Sequence, residues 1–292
     1  MGRGFWVVVC MLLVAGVLTS APASAQGDDV VLSSGVVLGA ATVDTGERAS
    51  ISGDGSWVAF NDGDGLGVLL WSARSDETIE VDPDGFLPSI SDDGRWVVFS
   101  KFVGSGLDVF LWDRLSGASV NLSNSAETSM HVEMSDDGGV AVWRDIGQRG
   151  PGVVRIWRRT SGMVENRPLD GLGLPILSGD GRYIVYNPRV SDQAVRRNLE
   201  TGSETDLQLP LGARFHGISD DGNALLYYDG ADLAVLNIAS RKLSELPVPI
   251  GDDLFGVYRP VISGDGATVF LSTTQALTPS DTNQTTDAYI WQ

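Results

Sequence analysis

After the first 25 residues the chain is built from short apolar runs separated by polar turns, with no helix-period segment of useful length. The runs are registered. Ile51-Ser52-Gly53-Asp54-Gly55 recurs as Ile90-Ser91-Asp92-Asp93-Gly94, Met134-Ser135-Asp136-Asp137-Gly138, Leu177-Ser178-Gly179-Asp180-Gly181, Ile218-Ser219-Asp220-Asp221-Gly222 and Ile262-Ser263-Gly264-Asp265-Gly266. The serines stand 39, 44, 43, 41 and 44 residues apart, the period of a four-stranded propeller blade. Each copy reads as a hairpin, with a strand ending in an apolar residue, a tight Asp-Gly turn, and a new strand. The sixth position after each serine is aliphatic (Val58, Val97, Ala141, Ile184, Leu225, Val269). The eighth is aromatic or leucine (Phe60, Phe99, Trp143, Tyr186, Tyr227, Leu271). Alternation puts both on one strand face, the face expected to pack on a neighbouring blade.

A third strand follows in every repeat, ending at Trp71, Trp112, Trp157, Arg197, Leu236 or Trp291, and a fourth closes each blade. With the strands lettered A to D from the hub outward, the pattern predicts an all-β, six-bladed propeller of four-stranded antiparallel blades. The last repeat reaches Gln292 just after its C strand. The expectation is therefore that an N-terminal strand, placed at Asp29 to Ser33, completes the sixth blade and closes the ring.

Residues 1–25 carry Arg3, an apolar run from Phe5 to Leu18 and a small-residue end at Ala23-Ser24-Ala25, the pattern of a cleaved secretory signal peptide. The run is shorter than a bilayer span, so no membrane anchor is expected. The domain division that follows is a leader over 1–25 and a single propeller over 26–292, destined for the periplasm or the exterior. Cys10, the only cysteine, lies in the leader, so disulfides, cysteine nucleophiles and thiolate metal sites are not expected in the mature chain. Loss of Arg3 leaves 19 basic residues against 38 acidic ones. A field of that sign repels phosphate backbones, so nucleic acid is not an expected partner.

The apolar-Ser-x-Asp-Gly turn, the aliphatic-x-aromatic strand, and a strand like Asp108-Val109-Phe110-Leu111-Trp112-Asp113 ending at a Ser-Gly turn resemble the WD40-like propeller repeat of the TolB type. The segment from Leu277 to Asn283 with Asp287-Ala288-Tyr289-Ile290-Trp291 also resembles a repeat variant of secreted bacterial proteins. Where that family commonly has Ser-Pro-Asp-Gly, this chain has Gly or Asp for the proline, and it has no room for the α/β domain that TolB carries ahead of its propeller. The resemblance implies a disc with a central channel used to bind partners.

The A-to-B turns are uniform and the C-to-D turns short, whereas the D-to-A and B-to-C connections on the opposite face vary in length. Variable loops on a rigid scaffold are where binding residues concentrate. Four positions before the serines stand Arg48, Leu87, His131, Leu174, Phe215 and Arg259, with Arg214 and His216 beside Phe215. Cations gathered there suit a carboxylate or another anion, and pairing with local acids such as Glu47, Asp252 and Asp253 is the competing reading. Glu133 is a charge where the other repeats have Ser50, Ser89, Ile176, Gly217 and Val261. Asp281, Asn283, Thr285 and Asp287 alternate as calcium ligands do, without the glycine and terminal glutamate of an EF-hand; an Asx-stabilised loop is the alternative, and no other cofactor is expected.

The functional expectation is a monomeric binding or scaffolding module taking a protein partner or a small anionic or carbohydrate ligand on the long-loop face. A propeller polysaccharide lyase or glycoside hydrolase using Glu133 and a second carboxylate is the enzymatic alternative. A structural envelope component is the third.

Overall fold

The computed structural model describes residues 49–62, 66–124, 127–146, 152–165, 169–188, 193–210, 212–230, 232–249, 260–273, 277 and 287–292. All regular structure there is β. Blade 1 comprises β1 (Ser50–Ile51), β2 (Trp57–Asn61), β3 (Val68–Ser72) and β4 (Thr78–Asp82). Blade 2 comprises β5 (Gly85–Ile90), β6 (Trp96–Val103), β7 (Gly106–Asp113) and β8 (Ala118–Asn121). Blade 3 has β9 (Thr128–Met134), β10 (Val140–Ile146), β11 (Val153–Arg158) and the short β12 (Met163–Val164). Blade 4 has β13 (Leu169–Leu177), β14 (Tyr183–Pro188), β15 (Val195–Asn198) and β16 (Glu204–Asp206). Blade 5 has β17 (Arg214–Ile218), β18 (Ala224–Tyr228), β19 (Asp232–Asn237) and β20 (Lys242–Pro249). Blade 6 shows β21 (Val261–Ile262), β22 (Val269–Thr273) and β23 (Asp287–Trp291) among the described residues. Neighbours within a blade pair antiparallel in chain order. The start of β13 also pairs with β11, Val153 facing Asp170, so one long strand leaves the outside of blade 3 and becomes the innermost strand of blade 4.

The Ser-x-Asp-Gly repeat has the same internal chemistry six times. The serine Oγ donates to the aspartate Oδ1, at distances from 2.6 Å (Ser91 to Asp93) to 2.9 Å (Ser52 to Asp54). The same Oγ accepts the amide five residues on, as from Trp57 at 3.0 Å and Tyr183 at 2.9 Å. The glycine adopts φ between 66° and 72° in all six copies, a region that disfavours a side chain. The turn glycines of blades 2, 3 and 5 also have a second constraint from the preceding blade: Gly94 lies on Trp57, Gly138 on Trp96 and Gly222 on Tyr183.

Five apolar clusters fill the joints between consecutive blades. The sixth and eighth positions after the serine were expected to pack on a neighbouring blade, and in blades 2 to 6 they face the preceding one; Val97 and Phe99, for instance, pack with Ala59, Val68 and Leu70 of blade 1. The seventh position is buried against the following blade, as Val98 is with Val132, Met134, Ala141 and Trp143. Both strand faces are thus core, which is why these strands run apolar almost without interruption. Trp112, Trp143 and Trp157 are buried in these joints, and Trp71 is buried as well. The predicted latch at 29–33 lies outside the described residues.

Candidate functional site

The two ends of the innermost strands are built differently. On the tight-turn face, backbone hydrogen bonds run from blade to blade around the hub: Gly53 N–H to Asp92 C=O (3.1 Å), Asp92 to Asp136 (2.7 Å), Asp136 to Gly179 (2.8 Å), Asp180 to Asp220 (3.0 Å) and Asp220 to Gly264 (2.8 Å). Apart from Asp180, the donors are the residues that occupy the place of the proline in the TolB-type repeat. Proline has no N–H to give, so the substitution by Gly or Asp supplies donors for this belt.

The mixture of Gly and Asp in the belt has a steric basis. The carboxylate of Asp92 lies where a side chain on Gly53 would stand, Asp136 and Asp220 both reach over Gly179, and Asp220 also covers Gly264. Three carboxylates therefore gather at the hub in space left by three glycines. Burial, followed by the charges of Asp92, Asp220, Asp180 and Asp137, pushes the Asp136 carboxyl up to about 7. Asp92 and Asp220 are also raised, first by burial and then by neighbouring carboxylates. By contrast, hydrogen bonds from Ser56 hold Asp54, on the rim of the same face, down to about 2. This acid cluster was not singled out from sequence. Its only signal was the Gly or Asp at the second repeat position, whose meaning depends on a neighbour some 40 residues away.

Toward the long-loop face the A strands carry β-bulges. The pairing of β5 with β6 slips between Phe86 and Ser89, that of β9 with β10 at Val142 to Arg144, and that of β17 with β18 between Phe215 and Gly217. Leu87 and His131, equivalent residues four before their serines, have φ of 55° and 56°. A bulge re-aims the side chain that follows it. The Leu87 amide freed in this way donates to Asn61 Oδ1 at 3.0 Å.

The sequence-predicted residues are distributed as follows. His131 and Glu133 lie on β9, and Arg214 and His216 on β17, two strands belonging to blades separated by blade 4. Arg214 is exposed and the two histidines are half-buried. Glu133 Oε2 accepts the Leu177 amide of blade 4 at 3.2 Å. Ser50, at the same repeat position in blade 1, accepts the Ile90 amide of blade 2 at 3.1 Å, so the out-of-pattern acid performs the bridging role of the serine it replaces. Arg48, Arg259 and Asp281 lie outside the described residues, as do Asn283 and Thr285 of the proposed calcium loop. No group of three or more His, Asp or Glu side chains among the described residues is arranged to hold a metal ion.

Other charges on this face are committed to structure. Lys101 pairs with Asp82 at 2.9 Å, and Asp145 accepts from Arg155, Ser129 and Trp143 Nε1. Arg144 was missed from sequence: its Nε–H is buried and meets no acceptor.

No family model matches the chain, and no curated protein matches it. Solved structures do. The chain is similar to TolB from Acinetobacter baumannii, with TM-score 0.53 and 16% identity over 71% of this chain and 54% of that one, so it spans about half of that protein. It is also similar to an oligogalacturonate lyase in complex with manganese (TM-score 0.60, 13% identity, 77% and 72% of the two chains). The β-propeller domain of the Trilobed protease from Pyrococcus furiosus, described as having an open velcro topology, matches with TM-score 0.60 and 15% identity over 84% and 80%. Fold and repeat together define a six-bladed β-propeller. At these identities the likeness is one of fold.

Proposed function

We propose that the protein is an exported binding or scaffolding module that engages a protein partner or an anionic ligand at the channel mouth on the long-loop face. The observation that carries this reading is the contrast between the two faces. The tight-turn face is locked by the hub belt, whereas the long-loop face presents bulged strands that turn Leu87 and His131 at the mouth. Arg144, with its unpaired Nε–H, adds a cation to the set of Arg48, Arg214 and Arg259 for recognising a carboxylate. The leader-like residues 1–25 support export, and no helix among the described residues is long and apolar enough to cross a membrane.

The lyase alternative gains nothing from Glu133, whose Oε2 is engaged by the Leu177 amide. A thermal-shift screen of the chain from residue 26 against citrate, calcium and oligogalacturonates tests the reading. A rise in melting temperature with an acidic ligand, lost in Arg214→Ala and in Arg48→Ala/Arg259→Ala, is the expected result. Release of an unsaturated sugar from oligogalacturonate would replace it with the lyase reading. No shift with any ligand would eliminate the small-anion form and leave the protein partner.

A further inference from the structure

Nine large apolar side chains are exposed among the described residues, and three of them gather on the long-loop face of blades 1 and 2: Leu66 (50%), Phe102 (57%) and Val103 (46%). Contacts beneath them tie the three together. Leu66 precedes Gly67, whose amide donates to the Gly85 carbonyl of blade 2 at 2.8 Å. The next residue, the half-buried Phe86, packs against Phe102 with ring centroids 5.5 Å apart. The other six lie on C-to-D turns and outer strands, or in blade 6.

The element that carries Phe102 and Val103 is well ordered by its pairing. β6 and β7 have 8 residues each, against 5 for β2 and β3, and their register runs without a slip from Trp96 opposite Asp113 to Val103 opposite Gly106. Gly104, with φ of 62°, supplies the left-handed residue that the two-residue loop needs. Phe102 and Val103 point to opposite faces of the hairpin and both are exposed, so its tip stands clear of its neighbours. A hairpin paired to its tip loses little freedom when it docks.

The surroundings of the patch are acidic. Asp62 is exposed, and its Cβ lies 3.5 Å from where a β-carbon on Gly67 would stand; the carbonyl of Pro83, between Asp82 and Asp84, is equally near. Lys101 is held between Asp82 at 2.9 Å and Asp84 at 3.5 Å, with the Asp84 side chain 68% exposed. Three carboxylates around one ammonium leave this surface negative, on a chain of formal net charge −18. Three half-exposed side chains offer on the order of a few hundred Å² of apolar surface, less than the about 800 Å² per partner that two globular faces bury. That area suits one or two anchors of an extended segment. A second copy of this chain would set like charges against each other. We propose that Leu66, Phe86, Phe102 and Val103 form a docking patch for a segment of a partner protein in which aromatic or aliphatic anchors alternate with lysines or arginines. The anchors cover the hairpin tip, and the cations meet Asp62 and Asp84. The proposal rests on the long-loop face being the binding face, and uses none of the arginines assigned above to an anion.

The test is binding of short labelled peptides to the full chain, read by fluorescence anisotropy at about 50 and about 300 mM salt. One peptide alternates lysine with tryptophan and leucine; a second has glutamate for lysine, and a third has serine for the apolar residues. The expected result is that the first alone binds, more weakly at the higher salt. Phe102→Ser/Val103→Ser leaves the net charge unchanged and should weaken binding about tenfold or more, with a melting temperature close to that of the wild type. Asp84→Lys should weaken it severalfold by an independent route. Unchanged affinity in the double-serine variant would show that the peptide answers net charge alone and would overturn the proposal. Equal binding of the glutamate or serine peptide, or no binding of any, would overturn it too. So would a wild-type dimer in sedimentation that Phe102→Ser dissociates, since a second copy would then cover the patch. The citrate shift and its loss in Arg214→Ala depend on other residues, so the anion reading stands or falls separately.

Discussion

Asp136 and Gly179, in neighbouring blades, are joined twice: the Asp136 amide donates to the Gly179 carbonyl at 2.8 Å, and the Asp136 carboxylate occupies the space where a side chain on Gly179 would stand. The second contact makes the glycine obligatory for a steric reason, since its backbone is not in the left-handed region. Gly179→Ala must displace the carboxylates of both Asp136 and Asp220 and is expected to cost about 1–3 kcal/mol, as overpacking does. Gly106→Ala is the control, because the nearest atom to a β-carbon there is Glu127 O at 3.6 Å. Urea denaturation should show a large drop in midpoint for the first and little for the second. Equal midpoints would remove the packing argument for the hub.

The hub also predicts an unusual pH dependence. A carboxyl raised from 3.8 to about 7 binds its proton more tightly in the folded chain than in the unfolded one. Its stabilisation is therefore complete below pH 3.8 and is lost as pH rises through about 7. Asp92 and Asp220 act in the same direction. The opposing groups Asp54 and Asp113, each held near 2, lose their contribution only in stronger acid. Between pH 5 and 8 the melting temperature should fall by about 3–6 °C, after allowance for solvent screening of the half-buried Asp136. Asp136→Asn should flatten this slope and raise the melting temperature at pH 8. A wild-type profile that rises with pH over that range would show that the three carboxylates are not coupled.

Glu133 separates a structural role from a chemical one. Its Oε2 bridges to the Leu177 amide, and a glutamine oxygen can accept the same hydrogen bond. Glu133→Gln should melt within about a degree of the wild type, whereas Glu133→Ala should lose roughly 1 kcal/mol, or about 3 °C. Equal losses in the two variants would mean that charge, rather than acceptance from Leu177, is what the position requires.

The repeat serines, the sixth and eighth strand positions and the six-blade count could all be read from sequence, because turn chemistry and strand alternation are local and recur at a fixed period. The role of Gly53, Asp92, Asp136, Gly179, Asp220 and Gly264 could not be read, because each is explained by a residue in another blade. Glu133 looked anomalous against its own repeat column until its partner, Leu177, was seen to be the same partner that Ser50 finds in Ile90. The bulges at Leu87 and His131 carry no glycine to mark them, so the long-loop face was located by loop length alone.

Arginines staple adjacent blades on the tight-turn face, and this can be measured directly. The Arg114 guanidinium of blade 2 lies 4.2 Å from the centre of the Trp57 ring of blade 1, while its Nε–H donates to the Gly94 carbonyl at 2.8 Å. Arg159 of blade 3 lies 5.0 Å from the Trp96 ring of blade 2 in the same way. Trp57 itself packs beneath Gly94, so ring, glycine and guanidinium form one stack across the joint. A double-mutant cycle with Arg114→Ala and Trp57→Leu should return a coupling of about 0.5–1 kcal/mol, the range for a partly exposed cation over an aromatic face. Arg114→Lys should recover only part of it, because an ammonium keeps the charge but lacks the planar stacking surface. A coupling of zero would reduce the stack to independent burial of the tryptophan, and the joint between blades 1 and 2 would then rest on its apolar cluster and the hub belt alone.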